Sequence, residues 1–137
     1  MKGHFTRLIG AVLAALLTTA PVFAHHSFAA EYDSNKPITL KGAITKVEWL
    51  NPHVYFFIDV KDDKGAVVNW AIENGAPNGL YRNGWRKDSL KIGDIVTVTG
   101  FLAKDGSHLA NARTVTLPDG SRVFAGSAND QAPPPAR

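Results

Sequence analysis

The sequence predicts an all-β domain: a five-stranded, OB-fold-like barrel with a short helical connection between its third and fourth strands. Three observations predict it. Short runs rich in Val, Ile, Thr and aromatic residues recur between Ile38 and Leu117, and Gly, Asp, Asn and Pro separate them. Within those runs apolar and polar positions alternate, which is the period of a half-buried strand and not of a helix. One stretch dense in turn residues, Gly75 to Gly84, breaks the series after three strands and before two more. The chain has 137 residues, 45% apolar and 20% charged, which fits one globular domain.

The elements follow in order. Lys2 and Arg7, the apolar run Leu8 to Leu17 and the small residues of Val22-Phe23-Ala24 form the three parts of an export signal. The run is too short to cross a bilayer. Cleavage after Ala24 removes 24 of 137 residues and leaves 113, and the product is expected to be periplasmic or secreted. The segment 25–37 is then a polar arm, 38–125 the barrel, and 126–137, with Pro133-Pro134-Pro135, a disordered tail.

The first strand runs from Ile38 to Leu50. Its apolar residues sit on even positions through Ile44 and on odd positions at Val47 and Trp49, so a bulge or sharp bend is expected near Thr45 and Lys46. The second strand, His53 to Val60, and the third, Ala66 to Glu73, flank Asp62-Asp63-Lys64-Gly65. A type I turn with a left-handed glycine pairs Asp62 with Ala66, so that opposed residue numbers add to 128. Val54, Phe56, Ile58 and Val60 then share the core face with Val68, Trp70 and Ile72. The opposite face carries His53, Tyr55, Phe57 and Asp59 with Asn69, Ala71 and Glu73, and His53 and Glu73 lie on a diagonal. Helical turns are expected around Leu80-Tyr81-Arg82 and Trp85 to Leu90. A fourth strand, Ile95 to Leu102, with Val96 and Val98 facing the core, and a fifth, Leu109 to Leu117, complete the set.

Composition excludes several chemistries. The chain contains no cysteine, so disulfides, thiolate metal sites and thiol nucleophiles are absent. Without Lys2 and Arg7 the basic and acidic side chains number 13 and 12, a net of +1 that offers little attraction to a phosphate backbone, and no nucleic-acid partner is expected. No P-loop, GxSxG elbow or HExxH helix is present. Glu31 and Asp33 could pair with Glu73 or Asp59 as carboxylates, but nothing in the sequence fixes their separation. Arg82, Arg86 and Lys87 read as a solvated basic face.

Histidine placement is the informative feature. Cleavage after Ala24 makes His25 the first residue and His26 the second, and an α-amino group beside two imidazoles is a nitrogen donor set for copper, nickel or zinc. His53 and His108 fall in the loops that frame the usual binding face of an OB-fold barrel, beside Tyr55, Phe57, Asn69 and Glu73. The competing reading has the N-terminal arm covering Tyr55 and Phe57, Glu73 paired with an arginine, and His53 capping a turn.

His25-His26-Ser27-Phe28, Asn51-Pro52-His53, Trp70-Ala71-Ile72-Glu73, Gly84-Trp85 and Gly93-Asp94-Ile95-Val96-Thr97-Val98 together resemble a family of exported bacterial proteins classed as a domain of unknown function. The resemblance spans about His25 to Gly126. It implies an exported small β-barrel and carries no activity. The family's paired leading histidines, NPH histidine and WxxE glutamate look like His25, His26, His53 and Glu73, whereas His108 lies outside its pattern.

The resulting expectation is a periplasmic binding protein, not an enzyme, that holds Cu(II) or Zn(II) through His25, its amino group, His26 and His53. Glu73 would serve as a ligand or as the partner of one. The alternative is a metal-free OB-fold module that binds a glycan, peptide or protein partner on the face of Tyr55, Phe57 and Asn69.

Overall fold

In the computed structural model, residues 28–126 are described. The chain is mostly β. A helical turn α1 (Phe28–Glu31) precedes β1 (Tyr32–Glu48), β2 (Tyr55–Lys61) and β3 (Val67–Glu73); a short helix α2 (Pro77–Arg82) leads to β4 (Ile95–Ala103), β5 (Leu109–Thr116) and β6 (Arg122–Phe124). The six strands form one sheet in the order β3-β2-β1-β4-β5-β6. All neighbours in that order pair antiparallel. Ala71, Ile72 and Glu73 of β3 also pair, in parallel, with Leu109, Ala110 and Asn111 of β5, so the sheet curls back on itself into a barrel-like shape.

Long β1 makes this curl possible because its first half pairs with β4 and its second half with β2, with Gly42 facing both Val96 and Val60. The register of β1 against β2 shifts between Ile44 and Lys46, where the apolar positions change parity. At Gly42 and Gly100 the strands cross too closely for a side chain. A Cβ on Gly100 would overlap the Asn111 carbonyl, and one on Gly42 the Asp59 carbonyl.

The β2–β3 hairpin has the expected register. Asp62 donates to Ala66 O at 2.8 Å, Gly65 turns with φ +83°, and Tyr55 faces Glu73, Phe56 faces Ile72 and Ile58 faces Trp70. Val54, Phe56, Ile58, Ile72, Val96 and Val98 are buried, together with Ile44, Leu80, Trp85, Ala110, Ala112 and Val115. Complete burial of each large side chain contributes about 1.5–3 kcal/mol. Pro77 starts α2, where its missing N–H costs nothing, and Gly84 at φ +92° turns the chain so that Trp85 plugs the core and donates from Nε1 to Phe124 O at 2.8 Å.

Several expectations are corrected. Among the described residues there are six strands and not five, because Arg122–Phe124 adds to the half of β5 that β3 leaves free. β1 begins at Tyr32 and not Ile38, with a register shift between Tyr32 and Pro37 that absorbs the polar residues between them. Helix is found at Phe28–Glu31 and Pro77–Arg82, whereas Trp85 to Leu90 forms turns. Val68 and Trp70 are half-buried. The β3–β5 pairing covers only Ala71 to Glu73, so the earlier residues of β3 lie beyond the closed part of the sheet, and Trp70 packs at the core's edge against the His108 ring, 5.0 Å away.

Candidate functional site

Glu73 is the last residue of β3 and is 5% exposed, which is unusual for a carboxylate unless its oxygens are partnered. They are. The phenol of Tyr32 donates to Oε2 at 2.7 Å, and the phenol of Tyr55 donates to the same oxygen. His53 Nδ1 lies 3.0 Å from Oε1. Three distant segments therefore meet on one buried carboxylate: the start of β1, the loop and first residue of β2, and the end of β3.

Each partner is held by the local backbone. Tyr55 and Glu73 are opposed residues of the hairpin, so their side chains leave the same face. His53 sits just before Val54, whose N–H donates to Gly75 O at 3.1 Å and whose carbonyl accepts from Asn74 N at 2.8 Å. The buried Asn74 side chain adds bonds to Val54 O and Ile72 O. Tyr32 is 1% exposed, and its ring stacks on Phe28 at 5.6 Å. Phe28 in turn meets the edge of Phe101 at 5.5 Å.

The electrostatics follow from these contacts. Burial, then the hydrogen bond to Glu73, pushes the Tyr32 and Tyr55 phenols well above the ordinary tyrosine range, so both keep their protons and remain donors. A carboxylate oxygen only accepts, so His53 directs an Nδ1 hydrogen at Oε1, and in the neutral ring this leaves the lone pair on Nε2. Its side chain is 27% exposed. The arrangement is chemically a histidine whose tautomer and direction are set by a fixed anion, ready to bind a cation or accept a proton at Nε2.

The structure thus unites His53, Tyr55 and Glu73 of the predicted set, with the diagonal contact realised and, among the described residues, no arginine on Glu73. Phe57 and Asn69 lie further along the same hairpin face in separate contacts. Asn69 bonds Asp59 at 2.8 Å and Thr45 at 3.2 Å, and the Lys46 ammonium sits 5.3 Å from the Phe57 ring centre. His108 belongs with Trp70. His25 and His26 lie outside the described residues, as do the expected export signal, residues 1–24, and residues 127–137. Among the described residues no three His, Asp or Glu side chains gather as a metal site. Tyr32 was missed. The signal for it was Phe28 and Tyr32 at i and i+4 in an otherwise polar arm, the spacing that stacks two rings across one helical turn.

A family model matches residues 13–112, well over half the chain. The chain belongs to a family of unknown function, DUF6152. That match takes in the Glu73 cluster whole, from Tyr32 through the β3–β5 closure, and in DUF6152 it brings no activity with it. No curated protein matches the chain. Among solved structures, the crystal structure of TiaS in complex with tRNA and ATP is similar at 25% identity with a TM-score of 0.46. The similarity covers 62% of this DUF6152 chain and 18% of that one.

Proposed function

We propose that this protein is an exported, periplasmic binding protein with an OB-fold-like scaffold that holds one transition-metal ion, Cu(II) or Zn(II). The donors are His53 Nε2, the imidazoles of His25 and His26, and the amino group freed by cleavage after Ala24. Glu73 orients His53 and does not ligate. The observation that carries this reading is the 3.0 Å contact from His53 Nδ1 to a buried carboxylate whose other oxygen is already taken by two phenols. Metal-ligating histidines characteristically donate their second ring nitrogen to such a group, and its loss costs about 10- to 100-fold in metal affinity. His25 and His26 stand three and two positions before Phe28, which is docked beside Tyr32. A residue spans at most about 3.6 Å, so three positions of chain reach at most about 11 Å from Phe28.

The test is calorimetric titration of Cu(II) and Zn(II) into protein whose N-terminus has been verified by mass spectrometry. Tight binding by the processed form is expected. It should weaken in His53→Ala and in a form that keeps one residue before His25. Absence of binding overturns the reading and leaves the metal-free module, for which Tyr55→Ala and Phe57→Ala would be the damaging changes.

A further inference from the structure

We infer that the loop after β1 and the connection between β3 and β4 form a docking face for an anionic phospholipid surface, with Leu50 as its apolar tip and Arg82, Arg86 and Lys87 as its cationic rim. The face shares no residue with the metal site proposed above and lies wholly within residues 28–126.

What the neighbouring residues bury shapes this face. In α2, Pro77 and Leu80 turn to the core, which leaves Tyr81 and Arg82 exposed. Trp85 and Leu90 plug the core in turn, so Arg86 and Lys87 emerge between two anchored side chains. Their turn is closed from both ends: Arg86 N–H donates to Ser89 Oγ at 2.8 Å, and Ser89 N–H to Arg86 O at 3.0 Å. Two ring contacts join this connection to the loop after β1. Tyr81 and Trp49 meet edge to face with ring centres 5.4 Å apart, and the Arg86 guanidinium lies 5.7 Å from the Tyr81 ring centre. Arg86 Nη1 donates to Tyr81 O at 3.3 Å and to Trp85 O at 2.6 Å, bonds that leave the other N–H groups of the fork uncommitted. Leu50, next to Trp49, is 63% exposed, and Tyr81 is 37% exposed.

Charge and residue type identify the occupant. Residues 78–91 carry four basic side chains, Arg82, Arg86, Lys87 and Lys91, against Asp88 alone, while the other described residues carry eight basic against ten acidic ones. The described chain is therefore nearly neutral but polarised, and an anionic surface turns its positive end toward itself. Four Lys or Arg side chains are a cluster of the size that binds anionic lipid. The apolar parts match the depth profile of a bilayer: an aliphatic tip enters the acyl boundary, a tyrosine keeps its polar end among the headgroups, and the cations meet phosphates. A specific protein interface covers about 800 Å² per partner around an apolar core. Leu50 and Tyr81 are too few for such a core, whereas a shallow anchor inside a cationic rim suffices for reversible lipid binding.

The test is flotation of the protein, its N-terminus verified by mass spectrometry, with vesicles of phosphatidylglycerol and phosphatidylcholine and with vesicles of phosphatidylcholine alone. Binding to the anionic vesicles only is expected, with its loss at high salt. Arg82→Gln, Arg86→Gln and Lys87→Gln together should lower the partition coefficient about 100-fold, and Leu50→Ser about tenfold. Lys61→Gln with Lys64→Gln, at the tip of the β2–β3 hairpin, should leave it nearly unchanged. All variants share one N-terminus, so the differences between them read the face alone. Leu50 is exposed, so its variant reports on binding even if the triple variant folds poorly. Because the chain has no cysteine, an environment-sensitive dye can be placed at one site: on Leu50→Cys it should shift to the blue with anionic vesicles, and on Val67→Cys, at the far end of the hairpin, it should not. Equal shifts at both positions, hairpin-tip variants that lose as much as the rim variants, or no binding to anionic vesicles overturn the inference. Capture of polyglutamate by the rim without vesicle binding overturns it in favour of an acidic polypeptide.

Discussion

Glu73→Gln changes one atom in a pocket that was built for an anion, and its effects can be worked through. The carboxylate accepts from two phenols on Oε2 and from His53 Nδ1 on Oε1. An amide has one acceptor oxygen. It goes where two donors converge, which turns the amide NH₂ toward His53. Nδ1 must then accept, so the histidine moves its hydrogen to Nε2. Hydrogen bonds to a charged partner contribute about 1.5–3 kcal/mol and neutral ones about 0.5–1.5, so the two phenol bonds each weaken by about 1 kcal/mol. Relief of the carboxylate's burial offsets part of this, and the expected loss of stability is about 1–2 kcal/mol. Glu73→Leu would strand all three donors and should cost about 3–6 kcal/mol. Urea unfolding followed by tryptophan fluorescence gives the energies, and long-range nitrogen–hydrogen NMR gives the His53 tautomer. A glutamine variant at least as stable as wild type, or one whose His53 keeps its hydrogen on Nδ1, would refute the reasoning.

Alkaline pH should destabilise the fold. The Tyr32 and Tyr55 phenols are raised in the folded state, so the stability they contribute is complete below the unfolded tyrosine value of about 10 and is lost as pH rises beyond it. Phenolate absorbance should show both rings ionising together with unfolding, and Tyr32→Phe should shrink the effect; stability that is flat above pH 10 contradicts this. Gly100→Ala forces a Cβ into the Asn111 carbonyl and should cost at least about 2 kcal/mol by chemical unfolding. Phe56→Ala should cost about 3–5 kcal/mol by the same measurement, since Phe56 is wholly buried at the centre of the core. Under the proposed metal site, affinity should fall as pH drops below about 8, where an α-amino group gains its proton; a pH-independent titration would contradict the nitrogen donor set.

The β2–β3 hairpin was legible because Asp62 to Gly65 fixes a turn type, and a turn type fixes register; from that the shared face of Tyr55 and Glu73 follows. The bulge between Ile44 and Lys46 was legible as a change of parity. What sequence reasoning lost was long-range. Tyr32 lies among Asp33, Ser34, Asn35 and Lys36, whose polarity marks an arm, and only a strand that returns beside Ala103 gives it a buried place. β6 was hidden because Pro118-Asp119-Gly120 reads as an ending, whereas it turns the chain back onto β5. Trp70 was assigned to the core by periodicity, which says which face a side chain takes and not how far the opposing layer extends.

The three-residue pairing of β3 with β5 joins Ala71 to Leu109 and Glu73 to Asn111, partners far apart in sequence. Contacts of that separation form late, since the loop they close must lose its entropy before the contact returns anything. Glu73 stands on this seam, and its bond to Tyr32 spans almost the same sequence distance. A chain whose hairpin has formed but whose sheet has not closed can therefore bring His53 and Tyr55 beside Glu73, but it lacks the Tyr32 phenol and the burial that complete the cluster. The cluster comes into being with sheet closure, and a ligand that requires all of it binds only the finished molecule, drawing the folding equilibrium toward the closed state in proportion to its occupancy.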